Sequence, residues 1–456
     1  MQYKIEKERE FNDYRDKVNA DFANYMRQAW GEYKSEPAVP VPDSPEPPAP
    51  VVKPPKTEPS KDPIPFIDVV PAPKPVEPPQ PIVPLPAPEP VKPSTPMFSF
   101  DYYGQKCEVP LEDIHRFTLS GVSENNVADA WQTLSSGIYL PVIAKCLDYR
   151  DKLRLGDWGY VRFVEKLTNA YFPTSRRNEA RLMEMYILTQ SGYKVRIARA
   201  DDRLVVLLPS KDNIYQYSYL TINGINYYVL EPDMRNATLS VFNREFPKEQ
   251  FFSLRINELP ALPYDKASPR RFQSKFDKET AADVAVNKNL IAFFNDYPLS
   301  NNWDIYSTAS LSEKTKQQLY PALKQSIAGK DTRTAANILL HFVQTAFDYA
   351  TDGKQFGYER PLFGDETFYY PYSDCEDRAI LFSILVRELL GLDVVLLHYP
   401  GHLATAVCFG NNDVVGDYLT IDGKRYIVCD PTYINSNVGD AMPEYKRASA
   451  QVVKIR

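Results

Sequence analysis

Three residues in the C-terminal part of the chain bring together a thiol, an imidazole and a carboxylate. Cys375 stands in "YYPYSDCEDRAILFSILVRELLG", where a polar turn gives way to a long apolar run. His402 opens "GHLATAVCF", and Asp430 ends "YIVCD" just before Pro431. A thiol attacks a carbonyl as thiolate, so it needs a base, and the base needs an acidic partner to hold its tautomer and orientation. Cysteine, histidine and aspartate supply those roles, and attack on an amide would pass through a thioester. Each residue alone is a weak signal. A cysteine at a helix start is most often structural, and both Gly-His and Asp-Pro mark turns. The ordered set is what points to chemistry.

The elements that would hold these groups are legible nearby. Ile380, Leu381, Ile384, Leu385, Val386, Leu389 and Leu390 make the segment after Cys375 apolar nearly all round, as expected of a central, buried helix. Ser373 or Asp374 is its expected N-cap. A helix start lowers a thiol pKa, and its free N–H groups can receive an oxyanion. The small and apolar residues of "GHLATAVCF" suit a strand in a packed sheet.

Together these motifs resemble the transglutaminase-like superfamily of papain-type thiol enzymes. In that family the nucleophile heads a buried helix in the local form "DCEDRA", a "GH" opens a strand and "DPT" closes a later one. Here those elements are residues 374–379, 401–402 and 430–432, and the resemblance covers about residues 330–440. It implies an α+β, papain-like or transglutaminase-like core with the nucleophile helix packed on an antiparallel sheet. It also implies a Cys375–His402–Asp430 triad, acyl transfer through a thioester, and no cofactor or metal. Eukaryotic glutamine cross-linking members support the oxyanion with a tryptophan upstream of the nucleophile. The nearest one here is Trp303, 72 residues away. That role falls to a side chain of the aromatic-rich "QFGYERPLFGDETFYYPY" segment or to backbone alone. Because this segment runs directly into the nucleophile, Tyr370 and Tyr372 are expected to line the substrate cleft, with a packed cap as the alternative. Hydrolysis of a peptide, protein or cell-wall amide is the expected reaction. Protein-glutamine transglutamination is the alternative, and a non-catalytic scaffold the rival from another class.

A repeat sharpens the reading. "YLTINGINYYVLEPD" from Tyr219 and "YLTIDGKRYIVCDPT" from Tyr418 share eight of their first fourteen positions, at an offset of 199. Each reads as strand, two-residue turn, strand, acid and proline. The offset extends back without a gap: Ala180 falls on Ala379, Leu182 on Leu381, Gly192 on Gly391 and Val195 on Val394. A duplicated lobe is expected. The second copy carries an extra "TDGKQFGYERPLFGDETFYYP" before its helix. Cys375 falls on Arg176, His402 on Arg203 and Asp430 on Glu231, and a two-residue shift would put Asn178 at the nucleophile station. The first copy is therefore expected to be catalytically dead and to serve as support or as a ligand-binding lobe.

Composition bounds the rest. A net charge of -6 and a pI near 5.5 argue against a nucleic-acid partner. Five scattered cysteines without a CxxC pair, and four histidines, lack zinc-type spacing. His341 is expected in a core or on a surface, and Cys107, Cys146, Cys408 and Cys429 lack a nearby base. Phe11, Tyr14, Val18, Phe22, Tyr25, Trp30 and Tyr33 predict an amphipathic helix over 3–34, packed on its own body, self-paired or docked on a partner. Residues 37–96 hold 24 of the 40 prolines. They predict a polyproline II spacer of up to about 190 Å that makes no helix or sheet ladder. Four segments follow: 1–36 helical, 37–96 linker, 97–262 degenerate lobe and 263–456 catalytic domain. No apolar run is long enough to span a membrane, and "MQYKIEKERE" has no signal-like core. The long spacer points to an exported bacterial protein whose signal peptide is absent from this chain.

Overall fold

The two repeated hairpins fold as their turn residues require. Asn223-Gly224 and Asp422-Gly423 all take positive φ (52°, 76°, 50° and 76°), the backbone of a two-residue hairpin turn. Tyr219–Ile222 pairs with Ile225–Val229 through the first turn, and Tyr418–Ile421 with Lys424–Cys429 through the second. Only glycine and short polar residues adopt this backbone cheaply, which is why the turns could be read from sequence.

These hairpins belong to a computed structural model that describes residues 2–41, 63–74, 77–81, 96–231, 234–410 and 414–455. The chain is a mixed α+β protein of two units. One comprises Met1–Pro40, Val76–Leu254 and Pro260–Pro263, the other Val41–Pro75, Arg255–Leu259 and Tyr264–Arg456.

Each unit is built on a six-stranded sheet, and the strand orders match. In the first the order is Gly31–Lys34, Thr238–Phe242, Arg196–Ala200, Arg203–Ser210, Ile225–Val229, Tyr219–Ile222. In the second it is Phe66–Val70, Ala450–Lys454, Asp393–Tyr399, His402–Cys408, Lys424–Cys429, Tyr418–Ile421. The central register also carries over with the offset of 199. Arg196 lies opposite Leu207, and Val395 opposite Ala406; Leu207 lies opposite Val229, and Ala406 opposite Val428. Within these two sheets all pairs are antiparallel except one. At the outer edge Gly31–Lys34 runs antiparallel to its neighbour, whereas Phe66–Val70 runs parallel.

Helices Arg177–Gln190 and Cys375–Leu390 occupy the same place in the two chain orders, each leading into the strand at the sheet centre. The second ends on Gly391, whose φ of 67° closes the helix. It is buried from Cys375 through Val386 and packs on Thr332–Thr345 and on the strands Asp393–Tyr399 and His402–Cys408. The nucleophile station is thus part of the core.

Two expectations about the N-terminal third need correction. The first helix stops at Met26, and residues 31–34 form a strand rather than its continuation. Phe22 packs on Trp131 (ring centroids 4.8 Å apart) and Phe246 (4.9 Å) within its own unit, while Phe11 and Tyr14 stay exposed. The proline-rich stretch is not ladder-free either. Phe66–Val70 is a proline-free run containing β-branched residues, and it extends the second sheet beside Ala450–Lys454. Proline 79 is tied to the first unit, where its carbonyl accepts from Arg150 Nη1 (3.0 Å). Most of the expected spacer lies outside the described residues.

Candidate active site

Antiparallel pairing brings the start of one strand beside the end of its neighbour. His402 is the first residue of His402–Cys408, and Asp430 follows directly on Lys424–Cys429; these strands pair with Thr405 opposite Cys429. His402 Nε2 and Asp430 Oδ2 are 2.8 Å apart, with the residues only 3% and 2% exposed. Asp430 is held from behind. Its Oδ1 accepts the N–H of Thr432 (2.9 Å) and of Tyr433 (3.2 Å), and its carbonyl accepts from Gln344 Nε2 (3.2 Å). Burial by itself would lower the His402 pKa. The Asp430 charge and hydrogen bond, with a further contribution from Cys375, outweigh it and raise the pKa to about 10. Tyr445 stacks on the imidazole (4.7 Å, 17°) and excludes water from one of its faces.

Cys375 is the first residue of its helix, after Asp374 at the N-cap position, and is 5% exposed. Its Sγ donates to Glu376 Oε2 (3.1 Å). His402 Nδ1 is buried without a partner of good hydrogen-bond geometry, and Cys375 acts on the imidazole both as a hydrogen-bonding neighbour and through its charge. The thiol therefore rests on Glu376, with the free imidazole nitrogen available to it. All five cysteines are free. Burial raises the pKa of Cys107 to about 12 and those of Cys146 and Cys429 further. His341 stacks on Phe276 (4.0 Å) and bonds the Ser436 carbonyl (3.1 Å), a packing role.

The acids around the thiol fasten the extra segment of the second unit to the helix start. Asp374 Oδ2 accepts from the Asp352 N–H (3.2 Å), Asp377 Oδ1 from the Leu362 N–H (2.9 Å), and Asp352 Oδ2 from the Arg360 N–H (2.6 Å). Burial raises all of their pKa values, Asp352 to about 11 and Asp374 to about 7, with Glu376 and Asp377 also well above the carboxylate range. Ligand oxygens of Asp352, Asp374 and Glu376 lie within 4.8 Å of one another, so these three are the residues that could hold a cation.

Tyr370 and Tyr372 are placed differently from one another. Tyr370 is engaged in packing: its hydroxyl donates to Asn295 Oδ1 (2.7 Å), and its ring meets Phe356 (5.0 Å) and the Arg360 guanidinium (5.1 Å). Tyr372 is exposed and pairs with Asp348 through its backbone. A pocket of about 410 Å³ in this unit has other aromatic walls, Phe276, Phe347 and Tyr349, together with Gln344, Arg378 and Ile434. Neither Tyr349 nor Tyr445 is marked by a motif in the sequence. Tyr349 sits in "FDYA", just before the extra segment on which attention fell.

In the first unit Arg176 and Glu231, at the stations of Cys375 and Asp430, are held in ion pairs, while Arg203, at the station of His402, is exposed. Glu231 accepts from Arg177 and from Arg181 Nε (2.6 Å), and Arg181 also donates to Glu184 (2.6 Å). Asn178 ties the helix to the strand turn through the Asp202 carbonyl (2.9 Å) and the Leu204 N–H (2.8 Å). Arg181, Glu184 and Glu231 are all buried. An Arg181→Leu substitution would leave the buried Glu184 without its ion-pair partner and Glu231 with Arg177 alone, and is expected to destabilise the protein by about 3–5 kcal/mol. Thermal unfolding reads this; a melting temperature equal to that of the wild type would refute it.

Compared with protein-family models, curated proteins and solved structures, the chain matches none. Among the described residues, no helix is long and apolar enough to cross a membrane.

Proposed function

We propose that this chain is a cysteine hydrolase that opens an amide or peptide bond through a thioester on Cys375. The observation that carries the reading is the buried His402–Asp430 pair, 2.8 Å apart. His402 opens a strand that packs against the helix Cys375 heads, and Asp430 follows the strand paired beside it. In the reaction, His402 Nδ1 takes the thiol proton and Sγ adds to the carbonyl. His402 then returns the proton to the leaving amine, and water releases the acyl group. Asp430 holds Nε2 and stabilises the imidazolium.

A thiol-headed helix packed on an antiparallel sheet, followed by histidine and aspartate on later strands, is the order of a papain-like or transglutaminase-like core. We read the second unit as such a core and the first as its degenerate copy. Water is favoured over an amine as acceptor because no indole is assigned to the thiol; Trp303 packs edge-on against His398 (5.4 Å). The substrate class is a peptide, protein or cell-wall amide, met outside the cytoplasm.

Iodoacetamide labelling between pH 6 and 9, read by peptide mapping, tests the reading. Cys375 should react faster than the half-exposed Cys408, although Cys375 is the more buried of the two. Labelling of Cys408 ahead of Cys375 would instead favour a scaffold whose triad is unused.

A further inference from the structure

An oxyanion formed at Cys375 has backbone donors available, because the first N–H groups of a helix have no intrahelical acceptor. Beside the thiol there is also a side-chain donor with nothing to bind. Tyr349 lies at the end of a two-residue strand, Asp348–Tyr349, that runs parallel to Tyr372–Ser373. Tyr349 pairs with Ser373, two residues before the nucleophile.

The ring is held by a rigid neighbour. The Arg378 guanidinium, one turn along the helix from Cys375, lies over it at 5.2 Å. Arg378 is in turn fixed by donations to the carbonyls of Gln344 (3.2 Å) and Phe347 (2.9 Å) and to Ser373 Oγ (3.2 Å). Yet the Tyr349 hydroxyl is buried and makes no hydrogen bond. An unpaired buried hydroxyl is destabilising, because it has lost its water partner and gained none. Packing does not require that cost, since phenylalanine would fill the same space. Burial raises the hydroxyl's pKa, and the largest charge contribution in the same direction comes from Cys375, ahead of Asp374 and Glu376. The phenol therefore remains a donor while the thiol changes charge. Tyr349 also lines the 410 Å³ pocket, which offers a substrate a place beside it.

We propose that Tyr349 is the side-chain donor of the oxyanion hole, and that its hydroxyl binds the oxygen of a carbonyl attacked by Cys375. The inference rests on the thiol-hydrolase reading above. As the Sγ–C bond forms, the carbonyl π pair moves onto oxygen, and the Tyr349 O–H donates to that oxyanion without losing its proton. When the C=O re-forms and the leaving group departs, the hydroxyl is again without a partner.

Two reagents acting on one thiol separate this role from a structural one. Acetylation of Cys375 by p-nitrophenyl acetate passes through an oxyanion, whereas alkylation by iodoacetamide does not. In Tyr349→Phe the acetylation rate is expected to fall about 100-fold, with the alkylation rate unchanged. Acetylation at the wild-type rate would overturn the proposal, and so would an equal fall in both rates, which would make Tyr349 a support for the thiol. A wild-type Cys375 no faster than Cys408 towards either reagent would remove the hydrolase reading itself, and this proposal with it.

Discussion

Replacing Cys375 with alanine is expected to eliminate acyl transfer while leaving the protein folded. In the proposed reaction the thiol carries the acyl intermediate, so turnover of p-nitrophenyl acetate should fall by about 10⁴-fold or more. The +42 Da acetyl adduct on the Cys375 peptide should vanish with it. The fold should tolerate the change. Alanine is the best helix former, and the lost contacts are the thiol donation to Glu376 Oε2 and the interaction with His402. A stability change within about 1.5 kcal/mol is expected. Retained turnover in a folded alanine variant would assign the chemistry to another residue.

The second large effect is at Asp430. In Asp430→Asn the Oδ1 position can still accept from Thr432 and Tyr433, so the loop should persist. The charge opposite His402 disappears, and only the smaller contribution of Cys375 then opposes the burial that favours the neutral ring. Loss of the required tautomer should lower turnover by about 10⁴-fold. A pH signature accompanies it. In the wild type, the folded-state pKa of His402 (about 10) exceeds its ordinary value of 6.5. Its stabilising contribution is therefore complete below pH 6.5 and is lost as the pH rises through about 10. Wild-type melting temperatures should fall over that interval relative to those of Asp430→Asn. Parallel curves for the two proteins would show that Asp430 does not hold the imidazole charged.

Local chemistry made much of this legible in the sequence. The hairpins at 223–224 and 422–423 follow from residues that tolerate positive φ. The 199-residue offset survives as strand order and central register because short turns and alternating side chains leave a hairpin little freedom. The apolar run after Cys375 could only be a buried helix, and the order of Cys375, His402 and Asp430 could be read without coordinates. The aromatic positions of residues 3–34 misled. The segment from Gly31 pairs as a strand instead, and its partner, Thr238–Phe242, lies about 200 residues away in the chain.

What required the tertiary structure is whatever depends on partners distant in sequence. Residues 66–70 pair with 450–454 because a sheet edge was open to them, and the surrounding prolines gave no hint of it. The acids flanking Cys375 bind backbone N–H groups of the extra segment, so their clustering serves attachment as well as chemistry. Tyr370, chosen for proximity in sequence, proved occupied by Arg360 and Asn295. Tyr349, 26 residues before the thiol, reaches its side only through the short parallel pairing with Ser373. Sequence by itself determined which groups could react and the elements that carry them. The packing of distant segments decided which polar atoms are already satisfied, and so which remain free to meet a substrate.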